Sequence, residues 1–207
     1  MKKFPIVLIG AGGHASSCID VLLAEGRYEI VGLIGLAEEV GTSELGIPVI
    51  GTEEDLPQIR KTISHAHVAL GQILSSEPRE ASYKQLQEFG FELPSIKSPT
   101  AMISPESHIG TGTIVMHGAL VNRFASVGAN CIINSMALIE HGSVIGSHTH
   151  VSTRATINGD SIVGDRCFLG SGSTIGHGVN LGDGTIVGMG ICVWSDKIAS
   201  SKVLRNE

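Results

Sequence analysis

The chain has little charge, few aromatic side chains and no long apolar run. Charged residues are 16% of its 207 residues, below the usual share of about a quarter. The formal net charge is −6 and no Lys/Arg run occurs, so phosphate backbones have nothing to collect on and nucleic-acid binding is excluded. No apolar stretch approaches the roughly 20 residues that cross a bilayer, which excludes membrane insertion. At 4% aromatic content large anchors are scarce, whereas a packed globule normally uses more of them. The four cysteines, Cys18, Cys131, Cys167 and Cys192, form no CxxC spacing and read as reduced thiols in a cytoplasmic protein. The beginning, MKKFPIVLIGAGG, holds Pro5 and three glycines, which make it a strand and turn, not a signal segment.

What is abundant is glycine, with 27 residues, and aliphatic side chains within a 42% hydrophobic content. From Ile103 to Val193 an aliphatic residue stands at every sixth position, and four positions after each comes a small or β-branched residue such as Thr113, Ala119, Cys131 or Ser143. A period of six is no helix stripe, which repeats near 3.6, but it suits a short strand followed by a turn. Three such units close a triangular coil in which residues n and n+18 stack at about 4.8 Å, giving a prism about 24 Å tall. Cys131 and Cys167 then lie two coils apart, about 9.6 Å, beyond the roughly 7 Å reach of a disulfide, and serve as core filler. The residue before each aliphatic position faces outward. One such column reads Ile114, Ile132, His150, Phe168, Ile186, and so apolar a stripe predicts an interface closing a cyclic homo-oligomer, a homotrimer.

The N-terminal part alternates strand and helix. PIVLIG is a buried strand, and the turn Gly10 to Ala15 matches G-x-G-x-x-G/A, in which a backbone approaches a phosphate at a helix N-terminus. A helix then runs from Ala15 to Gly26, EIVGLIG is a second strand, Thr52 caps a helix to about Arg60, AHVALG is a third strand, and Ser76 starts a helix to Phe89. The expected organisation is an α/β Rossmann-like nucleotide-sugar-binding domain over 1–97, a parallel β-helix over 98–194 and a tail over 195–207, with LPSIKSPTAM as linker. Gly35 and Leu36 stand where a dinucleotide site wants an acid, and Glu38 and Glu39 come late, so NAD is not expected. Gly10, Gly12, Gly13 and His14 are candidates for holding a sugar nucleotide or another anionic group.

With GAGGHA on a first strand, a GIPVIG segment and the run NSMALIEHGSVIGSHTHVS before continued hexads, the chain resembles the PglD/NeuD-type sugar acyltransferases over nearly its whole length. The resemblance implies a left-handed β-helix, a trimer with active sites between subunits, acetyl-CoA as donor, and as acceptor an amino sugar on a nucleotide or a sialic-type sugar. It places the general base at His141, a histidine near the acetyl group at His150, and a backbone amide for the thioester oxygen at Gly159. Asn134, which opens the most specific stretch, is a substrate-binding candidate.

The residues support that chemistry on their own terms. Acetyl transfer to an amine needs a proton removed as nitrogen attacks and a donor where the carbonyl oxygen becomes negative. Imidazole suits the first near neutral pH. His141 follows the inward Ile139 by two residues at a coil corner, and Gly159, 18 residues later, brings its N–H beside the imidazole by the stacking rule. The family commonly has an acid directly after the base, but that place is Gly142. Glu140 would orient the ring only if the corner bent it back from the outer face, where Asn122 and Asn158 share its column. In the tail Lys197, Lys202 and Arg205 are candidates for CoA phosphates, or form a frayed, solvated end. The same prism with three histidines would bind zinc, but His148 and His150 point in alternating directions and no metal is expected. The expected reaction is N-acetylation of a nucleotide-linked, UDP-type aminodeoxy sugar. O-acetylation of a sialic-type sugar and non-catalytic sugar-nucleotide binding are the alternatives.

Overall fold

The computed structural model describes residues 3–204. The N-terminal sheet contains β1 (Phe4–Ile9), β2 (Tyr28–Ile34), β3 (Ser43–Glu44), β4 (Ile47–Gly51) and β5 (His65–Val68), in the order β3-β4-β2-β1-β5. All pairings are parallel except the β3–β4 hairpin. Helix α1 (Gly13–Glu25) ends on the left-handed Gly26. A 3-10 turn over Glu53–Asp55 leads into the short α2 (Leu56–Ile59), and α3 spans Glu77–Glu88. The strand in GIPVIG is absent from the strand pattern because Pro48 interrupts it; the structure admits the proline because β4 lies near the edge of the sheet.

Beyond residue 95 the hexads form two-residue strands stacked in three parallel sheets of 7, 6 and 5 strands. Pairing joins residues 18 apart, as Ile133 with Val151 and Ile139 with Ile157. The chain is thus an α/β domain followed by a left-handed parallel β-helix. Its axis is filled by the aliphatic series and by the small residues, all of the latter from Thr113 to Thr185 being buried. Most polar members survive there because the hydroxyl finds a carbonyl: Thr113 Oγ1 donates to Gly128 O at 2.7 Å, Ser143 Oγ to Asn158 O at 2.9 Å and Ser161 Oγ to Gly176 O at 2.7 Å, whereas the buried Ser173 Oγ has no partner among the described residues. Cys131 and Cys167 are buried free thiols, each pushed up to about 11 by that burial.

Every sixth residue from Gly112 to Gly190 is left-handed, with φ between 53° and 69°. Half of these corners are not glycine, and Phe124, Met136, Arg154 and Asp160 are among them. A single residue in this conformation is disfavoured, but the rungs above and below dictate the turn and the stack holds it.

One sheet of the prism carries Ile96–Lys97, Ile114–Val115, Ile132–Ile133, His150–Val151, Phe168–Leu169, Ile186–Val187 and Lys202–Val203. The N-terminal domain packs on this face: Ile6, Leu8, Cys18, Ile19 and Leu22 share one core with Ile96, Ile114, Met116 and Ile132. Ile114 and Ile132 are 0% exposed and His150 7%. The apolar column expected to be a subunit interface is therefore covered largely by the chain's own first domain. The periodicity exposed an apolar face but carried no information about which surface would occupy it. The tail also differs from a frayed end, since Lys202–Val203 pairs with Ile186–Val187 and Lys197 bridges to Leu181. A slip of two residues in the hexad register lets this last coil close, so the strict period loses it. Arg205 lies outside the described residues. Among the described residues no helix is long and apolar enough to cross a membrane.

Candidate active site

His141 stands on the corner between Leu138–Ile139 and Val144–Ile145, the two prism faces away from the docked domain. Its side chain is 60% exposed. The ring lies against the α-carbon of Gly159, where a β-carbon would sit 2.6 Å from Cε1 and 2.8 Å from Nε2. Gly159 N donates to no other group among the described residues, while Gly159 O accepts from Gly178 N at 3.0 Å. An imidazole and an unengaged amide are thus neighbours at one solvent-facing corner.

Glu140 is turned elsewhere. Its Oε2 accepts from Asn122 Nδ2 at 2.8 Å and from the backbone N of His141 at 3.2 Å, not from the ring. The carboxylate closest to the ring is Asp160, with Oδ1 4.0 Å from His141 Nδ1 and Oδ2 3.9 Å from His177 Nε2. Asp160 and His177 were not candidates from sequence, although a signal existed. His141-Gly142, Gly159-Asp160 and His177-Gly178 repeat at 18-residue spacing, so one corner stacks His-Gly, Gly-Asp and His-Gly.

His150 lies on a different face. Its Nδ1 donates to Gln72 O at 2.7 Å and its Nε2 accepts from Asn134 Nδ2 at 3.1 Å. Burial lowers its pKa to about 4, so the ring is neutral at pH 7. Within one chain, then, the Asn134–His150 pair belongs to the domain junction and His141 to the far corner. His14 also faces the junction. Burial, with Arg79 and His150 nearby, lowers it to about 3, and its Nε2 is buried without a partner. Arg79, fully buried, spans the junction by donating to Val68 O and to Asn130 Oδ1 at 2.9 Å.

A cavity of about 670 Å³ opens at the carboxyl ends of β1, β2, β4 and β5, lined by Gly10, Ala11, Gly12, Leu36, Glu39, Thr52, Glu54 and Leu70 among others. This is where open parallel sheets bind ligands. Gly10 and Gly12 line it; Gly13 and His14 do not. Gly10 has φ +116° and a β-carbon there would meet Leu70 Cδ2 at 2.9 Å, whereas a β-carbon at Gly12 would meet nothing within 4 Å. Glu39, late in the sequence for an acid of this kind, reaches the wall from a 3-10 turn and accepts from Leu36 N at 2.7 Å. Lys197 is half-buried on the last coil, with Nζ 2.8 Å from Ser195 Oγ. Among the described residues no three His, Cys, Asp or Glu side chains converge as metal ligands.

The sequence profile of the PglD N-terminal domain matches residues 5–86, and that of the hexapeptide repeat of succinyl-transferase matches 161–194. No curated protein sequence matches the chain. Among solved structures, PerB from Caulobacter crescentus in complex with CoA and GDP-perosamine is similar with a TM-score of 0.89 and 33% identity, covering 96% of this chain and 92% of that one. A variant of the perosamine N-acetyltransferase from the same organism, with the same two ligands, gives 0.90 and 32% at equal coverage. The acetyltransferase domain of PglB from Neisseria gonorrhoeae, in complex with acetyl coenzyme A, gives 0.89 and 26% over 97% of this chain and 96% of that one.

Proposed function

The chain belongs to the PglD/NeuD-type sugar acyltransferases, hexapeptide-repeat enzymes, and we propose that it transfers an acetyl group from acetyl-CoA to the amine of a nucleotide-linked aminodeoxy sugar. The observation that carries this reading is the His141 imidazole lying on Gly159 beside an unengaged amide. The neutral amine attacks the thioester carbon, His141 Nε2 takes the proton as the C–N bond forms, and Gly159 N–H donates to the oxygen as it becomes negative. The C–S bond then breaks and the imidazolium returns its proton to the departing thiolate. No covalent enzyme intermediate is needed.

The cavity at the strand ends of the N-terminal domain suits the nucleotide, with Gly10 and Gly12 allowing backbone approach and Glu39 available to hydroxyls. That domain covers one prism face, and His141 sits at the opposite corner. A single chain therefore keeps cavity and base apart. A homotrimer resolves this, with one subunit's His141 corner presented to the neighbour's junction, where Asn134 and His150 would meet the acceptor and the acetyl group, and with Lys197 near the CoA phosphates. Acetyl-CoA as donor and the reduced, buried thiols suit a cytoplasmic location.

The test is a panel of UDP- and GDP-linked amino sugars and free sialic-type sugars with acetyl-CoA, followed by thiol release. UDP is the expected carrier and the perosamine relatives are bound to GDP-perosamine, so both belong in it. Thiol release with an amino sugar nucleotide is the expected result, and His141→Ala should lower kcat by about 10²- to 10⁴-fold. Unchanged turnover in that variant refutes the base assignment, and no release with any acceptor refutes the enzyme reading.

A further inference from the structure

Building on the reading of His141 as base, we infer that Asp160, one coil above it, is the carboxylate that positions the His141 ring, with Gly142 cleared to make room for it. Three observations converge on one corner. Asp160 Oδ1 is the carboxylate oxygen next to His141 Nδ1, at 4.0 Å, while Glu140 is held by Asn122 and the backbone. Asp160 N donates to His141 O at 3.0 Å, which fixes the two residues to each other across the coils. A β-carbon at Gly142 would run into Asp160 Oδ1, so the residue after the base and the acid of the next coil compete for one volume. Here the acid has it.

The other oxygen, Oδ2, is 3.9 Å from His177 Nε2, so a second ring lies beside the carboxylate one coil further on. Both side chains at the 4.0 Å contact are 60% exposed, and a small rotation closes the gap, as happens when catalytic hydrogen bonds tighten on substrate binding. With Nδ1–H turned to Asp160, the lone pair of Nε2 is left for the substrate amine, and the carboxylate faces the positive charge that forms on the ring in the transition state. Asp160 exchanges no proton. It is a positioning residue, acting through His141.

The experiment compares kcat and KM of Asp160→Ala, Asp160→Ala with Gly142→Asp, and Asp160→Ala with Gly142→Asn, alongside His141→Ala and melting curves of each. Asp160→Ala is expected to lower kcat by about tenfold to a hundredfold, a fraction of the base's own contribution, with KM and melting unchanged. Adding Gly142→Asp returns a carboxylate to the vacated volume and should restore kcat to within a few-fold. Gly142→Asn, equally bulky and equally tolerant of the left-handed corner, should not. Wild-type kcat in Asp160→Ala while His141→Ala is inactive overturns this inference alone, as does equal rescue by Asn and Asp. Wild-type kcat in His141→Ala overturns the base reading itself.

Discussion

The imidazole of His141 rests on the α-carbon of Gly159 so closely that a β-carbon there would stand 2.6 Å from Cε1. The contact joins two successive coils at one corner, and it exists because the 18-residue stack sets Gly159 directly above His141.

Gly159→Ala separates the corner's shape from its chemistry. The ring is the exposed end of its side chain, so it can swing away from the new methyl and the coil should survive with little change in melting temperature. The displaced base is expected to cost about tenfold to a hundredfold in kcat, because misplacement by about 1 Å is enough for a loss of that size. A variant with wild-type kcat would show that the contact has no part in catalysis.

Gly10 and Gly12 should separate in the same manner within the first domain. Gly10→Ala forces a side chain onto φ +116° and against Leu70, and is expected to destabilise the fold by about 1–3 kcal/mol. Gly12→Ala has open space around it, so the protein should fold normally while KM for the sugar nucleotide rises. Chemical denaturation and steady-state kinetics on both variants check this, and a Gly12→Ala enzyme with unchanged KM would remove the turn from the binding site.

Acid should weaken the junction between the two domains. Burial, with Arg79 close by, holds His14 and the fully buried His67 of β5 down to about 3, and burial holds His150 to about 4, against about 6.5 in an unfolded chain. Above pH 6.5 all three are neutral in both states and cost nothing. As pH falls from about 6.5 towards 4 the unfolded chain takes up protons that the folded one refuses, so stability falls, by up to about 1.4 kcal/mol per pH unit for each group. Denaturation midpoints at pH 7.5, 6 and 5 should decline in that order. A flat series would show that these rings are not buried as described.

The sequence by itself determined the prism. A six-residue aliphatic register admits one regular solution, a three-sided coil with n over n+18, and from that alone follow the buried thiols, the His141 corner and the amide of Gly159 next to it. It also determined the βαβ order of the first domain and its glycine turn. Only the tertiary structure decided what lies on the apolar column of Ile114 and Ile132, because apolar area reports that a surface is covered and is silent about its partner. The same holds for the acid beside His141. Glu140 and Asp160 are both near His141 by residue count or by coil, and the choice between them rests on which carboxylate occupies the space beside Gly142, Asp160, and which is already engaged by Asn122, Glu140. Those are facts of packing in three dimensions, set by contacts between coils that no local pattern encodes.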